Sequence, residues 1–274
     1  MKVLIVGLGL MGGAYAYKLK NAGYEVFGVD INPDSINYAI KNDYVISASN
    51  EPADYIKDMD LIILALYPTQ ILTFLRKYHD FFNENQLITD ISGVKSSYLI
   101  EANTLAKPAK YLAHHPMAGR EKKGIEYSHL CNFSKANFII TPVDFDDKNI
   151  KIIEKIGHDL GFGHVKIIDY KTHDDMIGFT SQLAHAMAVS LVNADKRDDT
   201  KDFVGDSYRD LTRIAMINEE LWSELFLENK DFLLKHITNF EEELDKIKNA
   251  IKDNDKDKLK ELFIKSSKKR NEMV

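Results

Sequence analysis

The feature that most restricts the possible folds of this chain is a glycine-rich segment near its N-terminus. The sequence Gly7-Leu8-Gly9-Leu10-Met11-Gly12 matches GxGxxG and directly follows an apolar run at residues 3–6. An apolar pattern with helical spacing follows it through residue 19. In such a strand-turn-helix unit the three glycines permit a tight turn, a close approach of a pyrophosphate and close helix packing. The helix N-terminus offers free N–H groups to the phosphates. The segment therefore predicts a Rossmann unit in which these six residues form the dinucleotide-binding turn.

An acidic residue stands where a ribose-binding carboxylate is needed in such a unit. Asp30 ends the second predicted strand, residues 25–29, at 18 positions after Gly12. A carboxylate accepts hydrogen bonds from the ribose 2′-hydroxyl and repels a 2′-phosphate, whereas an NADP site would need a nearby arginine. Residues 31–34 read Ile-Asn-Pro-Asp and contain no basic side chain. The sequence therefore predicts NAD as the cofactor.

The remaining strand signals are continuous apolar runs rather than alternating ones. They lie at residues 61–66, 87–89, 111–113, 138–140 and 165–168. Continuous apolar strands separated by helices indicate a mainly parallel sheet that is covered on both faces. We therefore predict an α/β fold whose residues 1–168 form a Rossmann domain with a doubly wound, mostly parallel sheet.

Strand signals stop after residue 168, and the remaining patterns are helical. The predicted helices cover residues 176–194, 211–217, 220–240 and 244–268. We assign residues 169–274 to a C-terminal all-helical domain that binds substrate and forms a homodimer. The motivation for the homodimer is the long apolar helix 176–194, which a domain of this size would not bury alone.

Two turns at the ends of predicted strands should line the cofactor crevice. They are Leu66-Tyr67-Pro68 and Asp90-Ile91-Ser92-Gly93. In an open α/β sheet, ligands bind outside the carboxyl ends of the strands. We therefore expect Leu66, Tyr67, Pro68 and Asp90 to contact the cofactor.

The charge and composition of the chain argue against several other classes of protein. The net charge of −6 gives no basic face for nucleic acid. The single cysteine, Cys131, allows neither an intramolecular disulfide nor a Cys-rich zinc site, so no metal is expected. No apolar stretch reaches the roughly 18 residues that a membrane span needs. We expect a soluble cytoplasmic protein without a membrane partner.

His115 is the candidate for acid-base chemistry on a substrate. It stands in the segment His-His-Pro-Met-Ala-Gly-Arg-Glu, residues 114–121, which directly follows a predicted strand. It can thus lie at the same sheet edge as the cofactor. A neutral imidazole accepts a hydroxyl proton near pH 7, as the oxidation of an alcohol requires.

Three segments together resemble one enzyme family. They are HPMAGRE at residues 115–121, THDDMIGFTSQLAHA at residues 172–186, and YRDLTRIA at residues 208–215, with Trp222 nine residues after Arg213. This combination, after a Rossmann core, resembles prephenate dehydrogenase of tyrosine biosynthesis. The resemblance implies NAD-dependent oxidative decarboxylation of prephenate to 4-hydroxyphenylpyruvate, with His115 accepting the proton of the ring hydroxyl.

The resemblance also implies the residues of the substrate pocket. Arg213 matches an arginine that holds a substrate carboxylate, and His185 matches a second substrate-binding histidine. Trp222 would form a wall of the pocket, and Glu121 with Arg209 would form a charged gate at its mouth.

At two positions the chain departs from the family pattern. The family commonly has a serine directly before Val-Lys in its D-x-x-S-V-K turn, where this chain has Gly93, with Ser92 one place earlier. Ser92 is thus the candidate hydroxyl partner of His115. Gln182 stands where the family often has a histidine, and a neutral amide there leaves open prephenate or arogenate as the substrate.

Two other classes of protein share the N-terminal motif. β-Hydroxyacid-type dehydrogenases begin similarly but carry a catalytic lysine on a Gly-rich helix, which the sequence after residue 168 does not contain. A non-enzymatic NAD-sensing module would bind NAD without turnover and would have no need of His115, His185 and Arg213.

Overall fold

The apolar run at residues 3–6 forms part of an inner strand of a six-stranded parallel sheet. The computed structural model describes residues 1–118, 122–144 and 146–273. The strands are β1 (Lys2–Val6), β2 (Glu25–Val29), β3 (Ser47–Ser49), β4 (Leu61–Leu64), β5 (Leu87–Asp90) and β6 (Lys110–Tyr111). Their order in the sheet is β3-β2-β1-β4-β5-β6, and every neighbouring pair is parallel. This is the order of a dinucleotide-binding Rossmann sheet, with its switch point between β1 and β4.

Both faces of this sheet are buried, which explains why its strands are continuously apolar. Val3 and Ile5 belong to the core on one face, whereas Leu4 and Val6 belong to the core on the other. Four helices run between the strands: α1 (Leu10–Asn21), α2 (Pro33–Lys41), α3 (Pro68–Tyr78) and α4 (Leu99–Leu105). The predicted Rossmann fold with a mostly parallel sheet is confirmed.

We had expected the last three strand signals of this domain to extend the parallel sheet. Most of their residues instead form a separate sheet. The chain leaves the sheet after Tyr111 and forms β7 (Ala113–Pro116), which pairs antiparallel with β8 (Asn137–Thr141). After α5 (Asp147–Asp159), β9 (His164–Ile167) pairs parallel with β8. Apolar runs indicate strands, but they do not specify which partner each strand takes. The separate three-stranded sheet positions His114 and His115 on β7.

The region after β9 is helical, as predicted, but the predicted helices are interrupted at three places, one of them between Lys252 and Lys256. Its helices are α6 (Tyr170–Ile177), α7 (Leu183–Asn193), α8 (Asp206–Thr212), α9 (Glu219–Glu228), α10 (Lys230–Lys252) and α11 (Lys256–Asn271). A π-helical turn, Gly178–Gln182, joins α6 to α7, and Asn229 separates α9 from α10. Within the part of the chain that the structure describes, no helix is long and apolar enough to cross a bilayer.

Candidate active site

The glycine-rich turn after β1 has the geometry of a phosphate-binding turn. Gly7 has a φ of +96°, which favours glycine, and a side chain on Gly12 would overlap the carbonyl oxygen of Gly7. Gly9 differs from both, because a Cβ built there would meet no atom within 4 Å. This open space lies at the N-terminus of α1, where free N–H groups and the helix dipole favour an anion. The turn therefore fits the pyrophosphate of a dinucleotide.

Asp30 is held at the end of β2 by two backbone amides. Its Oδ2 atom accepts the N–H of Leu8 at 2.5 Å, and its Oδ1 atom accepts the N–H of Asn32 at 2.7 Å. Since Leu8 belongs to the glycine-rich turn, the ribose-binding candidate and the phosphate-binding turn are fixed to each other. The contact of Asp30 with a ribose stays a prediction, which this preorganised carboxylate supports.

Asp90, at the end of β5, is fully buried and engaged within the protein. Its carboxylate accepts hydrogen bonds from the ammonium of Lys95 at 2.5 Å and from the hydroxyls of Tyr98 at 2.7 Å and Tyr111 at 2.8 Å. Burial lowers the pKa of Lys95 and raises the pKa values of Tyr98 and Tyr111. In this arrangement Asp90 fixes the turn after β5. Its predicted contact with the cofactor remains untested.

His115 is joined to a second histidine and a carboxylate from the helical domain. Its Nδ1 atom lies 2.9 Å from Nε2 of His173, and Nδ1 of His173 lies 2.7 Å from Oδ1 of Asp174. Asp174 in turn accepts the backbone N–H groups of Lys95, at 3.0 Å, and Ser96, at 2.5 Å. His173 and Asp174 are fully buried on the inner face of α6. We call this series, His115–His173–Asp174, the histidine relay.

The histidine relay assigns the tautomers of both rings. A carboxylate only accepts, so His173 donates its Nδ1–H to Asp174, and its Nε2 atom then carries the lone pair. That lone pair accepts the Nδ1–H of His115. The remaining ring nitrogen of neutral His115, Nε2, therefore carries a lone pair and is the atom that can accept a proton.

The surroundings of His115 keep it neutral near pH 7. Burial lowers its pKa well below the usual value of 6.5, and the positive charges of protonated His173, Lys95 and protonated His114 act in the same direction. Burial lowers the pKa of His173 too, although its hydrogen bond to Asp174 opposes that shift. A neutral imidazole with a lone pair on Nε2 is the form that a general base requires.

The turn after β5 faces the basic nitrogen of His115 with a glycine. A Cβ built on Gly93 would lie 3.6 Å from Nε2 of His115 and 3.7 Å from a methyl carbon of Leu225. The predicted partner, Ser92, is buried, and its hydroxyl accepts the N–H of Val94 at 3.4 Å. A catalytic contact between Ser92 and His115 stays a prediction. The hydrogen bond from Val94 to the Ser92 hydroxyl gives it no support.

Two of the predicted substrate residues lie against each other. The ring of His185 on α7 stacks on Trp222 of α9, with centroids 3.6 Å apart. Nδ1 of His185 donates to the carbonyl of Ser181 at 2.9 Å, which directs Nε2 away from the helix backbone. Trp222 is on the same helix as Leu225, which packs beside Gly93. The His185–Trp222 pair is thus linked through α9 to the turn that faces His115.

Two of the three predicted charged residues lie on and after α8. Arg213 begins a short 3₁₀ turn, Arg213–Ala215, and its side chain is exposed. Arg209 is exposed and its guanidinium lies 3.3 Å from Asp206. The proposed gate partner of Arg209, Glu121, lies outside the described residues. The roles of Arg213, Arg209 and Glu121 toward a substrate stay predictions.

Gln182 is fully buried and joins α7 to α9 rather than facing an open pocket. Its amide nitrogen donates to the carbonyl of Leu225 at 2.8 Å, and its oxygen accepts from Asn229 at 2.7 Å. Asn229 also donates to the carbonyl of Asp174 at 2.9 Å. Gln182 is thus engaged with these neighbours, and its predicted contact with a substrate remains untested.

The sequence analysis missed the histidine relay, although its residues stood in a quoted motif. His173, Asp174 and Ile177 share the buried face of α6, a position where two polar side chains are unusual. That polar pair on an apolar face is the signal that points to a specific partner. His115 is 58 residues away in sequence, so the partner itself could not be identified.

Comparison with known proteins places these features in a family. Residues 15–165 match the family model described as prephenate dehydrogenase, nucleotide-binding domain, and residues 169–265 match the one described as prephenate dehydrogenase, dimerization domain. The chain belongs to the prephenate dehydrogenase family. A prephenate dehydrogenase of Lactococcus lactis subsp. cremoris is 30% identical over 282 residues, which cover 99% of this chain and 77% of that protein.

Solved structures in this family have the same fold. The crystal structure of prephenate dehydrogenase from Aquifex aeolicus in complex with hydroxyphenyl propionate and NAD⁺ is 29% identical, with a TM-score of 0.89 over 100% of this chain and 98% of that chain. Arogenate dehydrogenase of Synechocystis is 23% identical, with a TM-score of 0.84 over the whole of both chains, and shows the shared fold.

Proposed function

We propose that this protein is an NAD-dependent prephenate dehydrogenase that converts prephenate to 4-hydroxyphenylpyruvate in tyrosine biosynthesis. The observation that carries the proposal is the histidine relay, which presents a neutral imidazole lone pair beside the turn after β5. That turn lies at the carboxyl edge of the sheet, next to the strand that borders the dinucleotide crevice. Family membership supports the same reaction.

NAD supplies the hydride acceptor of this reaction, and three features of the chain fit it. Gly9 leaves room for the pyrophosphate at the N-terminus of α1. Asp30 offers a fixed carboxylate to the ribose hydroxyls. Residues 31–34 supply no cation for a 2′-phosphate. These features favour NAD over NADP.

His115 would transfer the proton of the substrate 4-hydroxyl. As hydride leaves the ring carbon that carries this hydroxyl, Nε2 of His115 accepts the hydroxyl proton and a carbonyl forms. Loss of carbon dioxide returns an electron pair to the ring, which becomes aromatic with a phenolate oxygen. The imidazolium then returns its proton to that oxygen, so His115 ends neutral. Throughout, Nδ1–H remains bonded to His173.

The substrate is a dicarboxylate, and its binding would fall to the helical domain. Arg213 would hold one carboxylate through a bidentate guanidinium contact. His185 and Trp222, stacked on each other, would contact the substrate from α7 and α9. Arogenate carries an amino acid in place of the keto acid. Gln182, whose amide is bonded to Leu225 and Asn229, is 1% exposed and so offers little surface to the arogenate ammonium. This arrangement favours prephenate.

We further propose a cytoplasmic homodimer that associates through residues 169–274, with residues 1–168 as the cofactor domain. The family model that matches residues 169–265 is named for dimerization. The helical region also exposes large apolar side chains that a second copy would cover, among them Phe203, Leu211, Met216, Leu227 and Ile264. Sedimentation at micromolar concentration should give a dimer, and a stable monomer would contradict this part of the proposal.

A substrate panel tests the proposed function. The purified protein is assayed with prephenate and with arogenate, each with NAD and with NADP, while NADH absorbance and the aromatic product are followed. We expect turnover to 4-hydroxyphenylpyruvate with prephenate and NAD. Faster turnover of arogenate would reassign the substrate. NAD binding without turnover of either compound would favour the non-enzymatic reading.

A further inference from the structure

We propose that Glu224 is a positioning residue that couples the cofactor-binding turn to the substrate wall. Its carboxylate reaches from α9 to the N-terminus of α3, 155 residues earlier, and accepts the N–H of Thr69 at 2.7 Å. Helix α3 begins at Pro68, the last residue of the turn Leu66-Tyr67-Pro68 at the edge of the cofactor crevice. The inference rests on the proposed function for the identity of the two ligands, NAD and the substrate.

The hydrogen bonds of the first turn of α3 show why an external acceptor is needed. Pro68 has no N–H, and the N–H groups of Gln70 and Ile71 both reach the carbonyl of Tyr67. The N–H of Tyr67 itself is accepted by the side chain of Gln70 at 3.3 Å. The N–H of Thr69 is the remaining donor, and Glu224 accepts it. A negative charge at this position also interacts favourably with the helix dipole.

A second contact ties α9 to the same turn. The amide nitrogen of Asn218 lies 3.3 Å from the hydroxyl of Tyr67. Asn218 precedes α9 at the position of an N-terminal cap, yet its side chain does not cap that helix. Its Oδ1 atom is buried and has no hydrogen-bond partner among the described residues. The side chain is thus committed to the turn of the other domain rather than to its own helix.

Helix α9 carries the residues through which this coupling would reach the substrate. Trp222, two positions before Glu224, stacks on His185. Leu225, the next residue after Glu224, packs beside Gly93, which faces the ring of His115, and its carbonyl accepts from Gln182. A displacement of the turn at residues 66–68 would therefore move the wall of the substrate pocket. Conversely, a substrate that fixes Trp222 would fix this turn for the nicotinamide half of NAD.

Coupling of this kind is measured as the ratio of two dissociation constants, the Kd for NAD without the product divided by the Kd for NAD with it. The Kd for NAD is measured by isothermal titration calorimetry without and with saturating 4-hydroxyphenylpyruvate, in the full-length wild type and in Glu224→Ala. For the wild type we expect the product to tighten NAD binding about fivefold or more, within the range of known coupling energies. In Glu224→Ala the Kd for NAD alone should rise about five- to tenfold, and the ratio should fall toward one.

Two further variants control for folding and charge. Glu224→Gln keeps an acceptor oxygen without the charge, and should raise the Kd for NAD about two- to threefold. Glu220→Gln removes the same charge from an exposed position of α9, and should keep both the wild-type Kd and the wild-type ratio. The fluorescence of Trp222, the only tryptophan of the chain, reports whether α9 remains docked.

The results separate this inference from the proposed function. Turnover of prephenate by the wild type tests the function by itself. A wild-type ratio of one, or an unchanged ratio in Glu224→Ala, would overturn the coupling role of Glu224 whether or not prephenate is turned over. If Glu224→Ala does not fold, a wild-type Kd for NAD in Glu224→Gln would overturn it instead.

Discussion

Nδ1 of His115 lies 2.9 Å from Nε2 of His173, a ring that is itself fixed by Asp174. His115 belongs to the cofactor domain and His173 to the helical region, so the base is assembled only when these two parts of the chain pack together. The contact determines which nitrogen of His115 can accept a proton.

The pH dependence of activity should reflect the low pKa of His115. Because burial lowers this pKa, the neutral base is present above a value that itself lies below 6.5. As pH rises from the acid side, kcat/KM for prephenate should therefore increase with a midpoint below 6.5, and it should already be constant near pH 7. Initial rates measured between about pH 4.5 and about pH 8.5, roughly two pH units on either side of the usual histidine pKa, test this expectation. A midpoint above 6.5 would mean that His115 is not the titrating base.

Replacing Asp174 with asparagine should reverse the tautomers of the histidine relay. The new amide nitrogen would donate to Nδ1 of His173, which would then carry its proton on Nε2 and donate to His115. His115 would be left with its proton on Nε2, where the substrate hydroxyl needs a lone pair. We expect kcat to fall roughly 100-fold or more, with a small change in KM, as for loss of an orienting carboxylate.

The neighbouring acid provides the control for that substitution. Asp175 binds Lys235 and His236 on the outer side of the helix, so Asp175→Asn should keep kcat within about twofold of wild type. Circular dichroism would show whether both variants are folded. A folded Asp174→Asn enzyme with the wild-type kcat would rule out the tautomer argument.

Arg213→Gln should raise KM for prephenate more than it lowers kcat. A substrate carboxylate is charged in both the ground state and the transition state. Loss of its contact with Arg213 therefore weakens binding equally in both states. A charged hydrogen bond is worth about 1.5–3 kcal/mol, which corresponds to a rise of about 10- to 150-fold. Arg197→Gln, an exposed arginine paired with Asp199, should leave both constants unchanged. An effect on kcat alone would assign Arg213 to the chemical step.

Asp30→Ala should weaken NAD binding and relax the preference for NAD over NADP. The substitution removes the ribose acceptor and also the charge that repels a 2′-phosphate. We expect the ratio of kcat/KM values for the two cofactors to fall about tenfold or more, given the worth of a charged hydrogen bond. Asp34→Ala, on the exposed first turn of α2, is the control. A wild-type enzyme that prefers NADP would contradict the role of Asp30.

The features that the sequence predicted correctly depend on local patterns. The Rossmann fold, the helical C-terminal region and the family follow from apolar runs, the GxGxxG turn and motifs read within a few residues of one another. What the sequence could not supply depends on distant contacts. The pairing of β7 with β8, the link from His115 to His173, and the internal hydrogen bonds of Asp90 and Gln182 each require the folded chain.

The most direct test of the central claim is the steady-state kinetics of His115→Asn on prephenate with NAD. Asparagine keeps a polar side chain of similar size but cannot accept a proton near pH 7. If Nε2 of His115 is the base, kcat should fall by the equivalent of roughly 3–5 kcal/mol, KM should change little, and the acid limb of the pH profile should disappear. A His115→Asn enzyme with a near-normal kcat and the wild-type pH profile would contradict the account.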